Sequence, residues 1–218
     1  MIIVIDGPAG SGKSSTARQV ANLLRLQYLD SGALYRAVTV AWLKSGKEMS
    51  FFEKLNHLNL TFRYENGLFR VWIDSIEVTN QIRTEAISSI VSVVASRPDV
   101  RALVNQIMHK AISESVCIAD GRDLGTAVFP EADLKIYMDA SPTVRAKRRT
   151  RELIESGDEA DYQDVLDKIL QRDELDSGRD ADPLRMAEDA ILVKTDKLTF
   201  DQQVELICQL IQEKQKQQ

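Results

Sequence analysis

The sequence predicts an α/β fold: a parallel sheet flanked by helices, with an inserted antiparallel β subdomain and a helical lid. Three observations lead there. Short aliphatic runs at Ile2 to Ile5, Val116 to Ala119, Leu134 to Met138 and Ala190 to Val193 are separated by stretches of helical period, the pattern of buried parallel strands joined by helices. Residues 60 to 78 switch to a period of two around a turn signal. A late pair of helical segments, from Ser141 onward, concentrates arginine.

The first strand is stopped by Asp6-Gly7, and a helix starts near Gly12, where Ala17, Val20, Ala21 and Leu24 recur on one face through Arg25. A short strand precedes Asp30, and a second helix over 32 to 43 is ended by Ser45-Gly46. Leu60, Phe62 and Tyr64 alternate with polar residues, Glu65-Asn66-Gly67 turns the chain, and Phe69, Val71 and Ile73 alternate on the return, with Ile76 to Thr79 as a third strand. Helical patterning covers 84 to 113, with Pro98 in the first turn of a helix capped by Ser96 or Arg97. Ser141-Pro142 opens the arginine-rich helix. Thr199 and Gln202 form a capping box for the last helix, whose polar end from Glu213 to Gln218 is expected to fray. This divides one domain, 1–218, into a core (1–58, 84–145 and 186–218), an insertion (59–83) and a lid (146–185).

At 218 residues and a formal net charge of −5, the chain can bury a continuous core, and its overall field repels nucleic acid. A site for a polyanion must then be built from local arginines. Cys117 and Cys208 lie far apart in apolar runs, which suits buried thiols in a reducing compartment better than a disulfide or zinc site. The opening apolar run is too short for a signal-peptide core, and no run approaches a membrane span. A cytoplasmic protein with no membrane or nucleic-acid partner is expected, and its short loops are compatible with a monomer.

Gly7-Pro8-Ala9-Gly10-Ser11-Gly12-Lys13-Ser14 fits the phosphate-loop (P-loop) pattern of two glycines five apart followed by lysine and a hydroxyl residue. The chemistry needs those types. Backbone N–H groups must wrap phosphate oxygens, so glycines must supply positive φ and close approach. The following helix aims its N-terminal amides at the same anion, Lys13 reaches the β- and γ-phosphates of ATP, and the Ser14 hydroxyl ligates Mg²⁺. No Asn-Lys-x-Asp guanine signature is present, so a kinase is favoured over a switch.

Asp30-Ser31-Gly32-Ala33-Leu34-Tyr35-Arg36 and Asp120-Gly121-Arg122-Asp123-Leu124-Gly125-Thr126 follow strands, and both fall at the carboxyl rim of the sheet beside the phosphate loop. Arg36 and Arg122 there would face a second phosphate; a plainer reading of Arg122 is a loop ion pair. With Ile82-Arg83-Thr84 and Gly125 to Pro130, these segments resemble the nucleoside monophosphate kinases, specifically the bacterial cytidylate kinase family, over essentially the whole chain.

The resemblance implies transfer of the ATP γ-phosphoryl group to CMP or dCMP with Mg²⁺. It places Gly7 to Ser15 and Arg148 on ATP, and Ser31, Tyr35, Arg36, Ser92, Arg101, Gly121, Arg122, Asp123, Arg172, Asp176 and Arg179 on CMP. Ser92 and Asp123 would accept from the cytosine amino group, Arg101 would donate to the ring acceptors, Arg172 and Asp176 would meet the ribose, and Arg179 the acceptor phosphate. Cytosine offers one donor and two acceptors, so its reader needs both kinds of partner. Lys13, Arg36, Arg122, Arg172 and Arg179 are the catalytic candidates, with Asp120 a candidate outer-sphere Mg²⁺ residue. Without the resemblance, Ser92 and Arg101 read as helix-surface residues.

Arg145, Arg148 and Arg149 share one helix face with Lys147 and Arg151 nearby, and like charges at that spacing call for an anion, here the triphosphate; the plainer reading is a solvated basic face balanced by Glu152 and Glu155. Gly157 to Asp161 reads as the exposed tip of the lid. His57 and His109 have no partnered pattern. A kinase of another small acceptor such as UMP, a non-catalytic ATP-binding module and a nucleic-acid binder are the competing readings.

Overall fold

A computed structural model describes residues 1–112 and 116–217. Strand β1 (Ile2–Asp6) runs into the phosphate loop and helix α1 (Lys13–Leu24). Strand β2 (Gln27–Asp30) passes directly into α2 (Ser31–Lys44), with Asp30 capping the helix by accepting from Ala33 N at 2.7 Å. A short α3 (Ser50–Glu53) precedes the hairpin β3 (Leu60–Glu65) and β4 (Leu68–Ile73), followed by β5 (Ile76–Glu77). Then come α4 (Glu85–Ser88), α5 (Val91–Ala95), α6 (Pro98–Ala111) and β6 (Cys117–Asp120). β7 (Leu134–Asp139), the antiparallel pair α7 (Pro142–Glu155) and α8 (Tyr162–Gly178), β8 (Ile191–Lys194) and α9 (Phe200–Lys216) complete the chain.

The five long-range strands form one parallel sheet in the order β2-β6-β1-β7-β8. β1 lies at its centre, with Ile3 registered against Ile118 on one side and Leu134 on the other. Ile3, Val4 and Ile5 are fully buried, as a strand covered on both faces by helices requires. The order puts the ends of β1, β2 and β6 side by side, and that rim carries the phosphate loop, Asp30 and Asp120.

The hairpin forms a separate antiparallel sheet, β3-β4-β5. Asn66 and Gly67, both at positive φ, make its turn. Its inner face carries Phe69 and Val71, fully buried, with Phe62 stacked on Phe69 at 4.9 Å. Each such aromatic contributes roughly 1.5–3 kcal/mol by leaving water. A second, small apolar cluster of Ala146, Val165 and Ile169 holds α7 to α8 apart from the main core.

Several expectations shift. The third strand of the hairpin sheet ends at Glu77, because Thr79 turns its hydroxyl to accept from Val71 N at 3.1 Å. The helical stretch from 84 is three helices: the expected new helix opens at Pro98, and two short helices precede it. Ser88, Ser89 and Ser96 return their hydroxyls to carbonyls three or four residues back, competing with the ladder where the breaks fall. The end of that stretch at Ser113 lies outside the described residues. Ser141 is the residue before α7 but makes no side-chain cap; its N–H donates to Asp196 instead at 2.9 Å. The capping box of Thr199 and Gln202 is present, and the polar end remains helical to Lys216. Cys117 is buried, whereas Cys208 is only half-buried. No helix among the described residues is long and apolar enough to cross a membrane.

Candidate active site

The phosphate loop is shaped by three glycines at positive φ, Gly7 (149°), Gly10 (77°) and Gly12 (93°). At Gly7 the need is also spatial: a Cβ would sit 2.0 Å from the carbonyl oxygen of Met138 on β7. Lys13 begins α1, is buried, and donates to Pro8 O at 3.1 Å, so its ammonium is folded into the loop. Burial, then the Arg122 guanidinium, push its pKa well below the usual lysine range. Ser15 bonds back to Gly12 O at 2.9 Å, and Ser11 receives the Thr195 hydroxyl on its carbonyl at 3.0 Å. The Ser11 hydroxyl itself is buried without a hydrogen-bond partner among the described residues.

Behind the loop, Ser14 donates to one oxygen of Asp120 and Tyr28 to the other at 2.6 Å. Asp120 is buried; burial, then the nearby Asp30, raise its pKa, opposed by Lys13, Ser14 and Tyr28. The Ser31 hydroxyl donates to Asp120 O at 2.8 Å, fixing the β2–α2 junction to β6. Gly121 N donates to Ile5 O at 3.0 Å. Oxygen donors beside the loop hydroxyl are the set a hard divalent cation takes.

On the opposite side stand two ion-pair clusters. Asp176, buried on α8, accepts from Arg122 Nε at 3.0 Å and from Ser92 at 3.1 Å, with Arg172 at 3.9 Å. Burial would raise the Asp176 pKa, but Arg122 and then Arg172 outweigh it and hold it low. Burial, then Arg122, bring the Arg172 pKa down to about 10. Arg36 meets Asp30 at 3.5 Å, and the Nε atoms of Arg36 and Arg172 are buried without hydrogen bonds. In the second cluster, Asp123 is buried between Arg101 and Arg179, the latter at 2.9 Å. Tyr35 lies beneath, its ring centroid 5.8 Å from the Arg101 guanidinium.

Several predicted site residues have partners within the protein. Arg101 is not a helix-surface residue: it is 2% exposed, drawn in by Asp123 and Asp182. The Ser92 hydroxyl donates to Asp176 at 3.1 Å. Arg179 pairs with the carboxylate of the expected base reader.

The face of α7 expected to carry triphosphate splits three ways. Arg145 is buried on Ala9 O at 3.0 Å, Ala140 O at 2.8 Å and Asp173, tying the phosphate loop to β7 and α8. Arg148 donates to the Thr195 hydroxyl at 3.0 Å, beside Ser11, and burial lowers its pKa. Arg149 reaches Glu85 and Glu152. His109 packs edge-on against Phe129.

Sequence reasoning passed over Asp6, Tyr28, Thr195 and Asp182. Asp6 accepts from Leu124 N at 2.9 Å and Gly125 N at 2.7 Å, and so fixes a π-helical turn, Leu124–Val128, directly after Asp123. A charged residue ending a buried strand was the available signal.

A family model described as cytidylate kinase matches residues 3–213. The chain belongs to the cytidylate kinase family. Among its relatives, the cytidylate kinase of Carboxydothermus hydrogenoformans is 41% identical, covering 97% of each chain. That of Exiguobacterium sibiricum is 42% identical over 95% of each. A crystal structure of an uncharacterized protein from Eubacterium ventriosum shares the fold at a TM-score of 0.54 and 12% identity, covering 97% of this chain and 98% of that one. Family membership thus spans both ion-pair clusters and the phosphate loop together.

Proposed function

We propose that this chain is an ATP:CMP/dCMP phosphotransferase, moving the γ-phosphoryl group of ATP to CMP or dCMP to give CDP or dCDP. The observation that carries it is full-length membership of the cytidylate kinase family in a chain where a complete phosphate loop faces a rim of arginines. ATP binds through the loop from Gly7 to Ser15, and Arg148 beside Ser11 borders it. The acceptor lies among Ser31, Tyr35, Arg36, Gly121, Arg122, Arg172, Asp176 and Arg179.

No general base is required, because the acceptor phosphate is already largely dianionic at neutral pH. Its oxygen attacks the γ-phosphorus in line, so the residues act by positioning and by neutralising charge. Lys13, Arg36, Arg122, Arg172 and Arg179 supply the positive charge. Ser14 would hold Mg²⁺ together with nucleotide phosphates and Asp120 would hold it through water, the ion neutralising charge on the phosphates. The hairpin unit (59–83) and the α7–α8 lid (146–185) close over the substrates and exclude water from the transfer.

Asp123 accepts from the cytosine amino group while Arg101 donates to the ring. Uracil offers an acceptor where cytosine offers a donor, which leaves the carboxylate mismatched at a cost of about 1–3 kcal/mol. The free thiols and acidic balance support a cytoplasmic enzyme without a nucleic-acid partner. A coupled assay over CMP, dCMP, UMP and AMP tests the reading, repeated with Asp123→Asn and Arg101→Ala. CMP and dCMP should lead, and both substitutions should erode the lead over UMP. Turnover of UMP well above CMP would sink it.

A further inference from the structure

Asp182 stands in the segment between α8 and β8 with φ 48°, immediately before Pro183. A side-chain-bearing residue in the left-handed region costs on the order of 1 kcal/mol or more and persists where its surroundings hold it. Two guanidinium groups do so. Its carboxylate accepts from Arg101 Nε at 2.7 Å, and its carbonyl accepts from Arg179 Nε at 2.7 Å.

The terminal nitrogens of the same two arginines converge on Asp123, Arg179 at 2.9 Å from one oxygen and Arg101 on the other. Asp182, Arg101, Asp123 and Arg179 therefore close a ring of two positive and two negative charges.

We propose that Asp182 is a positioning residue that fixes the guanidinium plane of Arg101 and thereby sets the discrimination between cytosine and uracil. This rests on the reading of Arg101 and Asp123 as the base contacts. A guanidinium presents its donors in one rigid fork, so holding Nε fixes where the terminal N–H groups point. Asp182 holds Nε, the Ala95 carbonyl takes a second nitrogen at 3.3 Å, and the remaining edge faces Asp123. Asp182 lies four residues beyond the end of the lid helix that carries Arg172 and Asp176, so a short segment and one side chain link that helix end to the base-reading arginine.

Two variants separate the carboxylate from the backbone. Asp182→Gly accepts the left-handed φ without strain and removes only the side chain; Asp182→Asn keeps an acceptor oxygen and also tolerates that φ. For Asp182→Gly, KM for CMP should rise about ten-fold with kcat and KM for ATP little changed, and the CMP:UMP ratio of kcat/KM should fall about ten-fold. Asp182→Asn should restore most of both. Wild-type KM and ratio in Asp182→Gly, with discrimination lost in Arg101→Ala, would overturn the role of Asp182 alone. A fall in kcat and melting temperature with an unchanged ratio would reduce Asp182 to a structural tie. An unchanged ratio in Arg101→Ala would overturn the base pocket itself, and this inference with it.

Discussion

The phenol of Tyr28 donates to Asp120 at 2.6 Å, on the oxygen opposite the one that takes Ser14. Both partners are buried, and burial leads in raising the tyrosine pKa well above its usual value, so the phenol stays a donor across the working range. Tyr28→Phe removes the donor and leaves a buried carboxylate oxygen short of a partner, a loss of about 1–3 kcal/mol. Urea unfolding should show a lower midpoint at unchanged slope, and an unchanged midpoint would contradict the role given to this bond.

Lys13 is the buried cation of the phosphate loop, and Lys13→Met keeps its bulk while deleting the charge. Removing a group that faces developing charge in a site closed to water lowers kcat by about two to three orders of magnitude. Saturating steady-state kinetics would show the fall, with circular dichroism reporting an intact fold. A loss confined to KM for ATP would limit Lys13 to ground-state binding.

Asp6 makes stability depend on pH. Burial chiefly raises its pKa from 3.8 to about 6, partly offset by the N–H groups of Gly125 and Leu124. The folded state therefore binds more protons than the unfolded chain between those values. The contribution of Asp6 is fully present below the lower value and is lost as pH rises through the upper one, by on the order of 3 kcal/mol. Unfolding free energies across that range, compared with Asp6→Asn, should show a downward slope in the wild type that the variant lacks. Parallel slopes would refute the assignment.

Alanine at three glycines should grade by what the new Cβ meets. At Gly46 nothing lies within 4 Å, so only the φ of 79° resists, a cost of about 1 kcal/mol. At Gly12 the Cβ lies 2.7 Å from Gln203 Oε1, a side-chain end that can swing away, though ATP affinity should drop. At Gly7 it collides with the backbone of Met138, so Gly7→Ala should be the least stable of the three and should not bind ATP. Thermal melts with and without ATP would test the order.

The parts of this molecule that follow from local chemistry were legible in the sequence. The phosphate loop, the hairpin at Asn66-Gly67 and the buried strands each announce themselves within a few residues, since glycine conformation and side-chain alternation are local constraints. What escaped was set by partners distant in sequence. Arg101 and Asp123 are 22 positions apart, and Tyr28 and Asp120 are 92 apart. Periodicity places Arg101 on a helix but says nothing of the carboxylates that draw it inside. The arginines of α7 were grouped by spacing, and three acceptors from different parts of the fold divide them.

With Arg101 and Arg179 paired to Asp123 and Arg122 paired to Asp176, the proposed acceptor site would behave as an ion exchanger. An incoming phosphate meets guanidinium groups already holding internal counter-ions, and it gains only the difference between its own hold on them and that of a carboxylate. A dianion with three oxygens would win that exchange; a neutral nucleoside has nothing to offer in trade, and a free carboxylate would only break even. On the proposed roles of Asp123 and Asp176, the released aspartates would then face the base and the ribose, so one displacement would both seat the phosphate and uncover the groups that read the rest of the nucleotide.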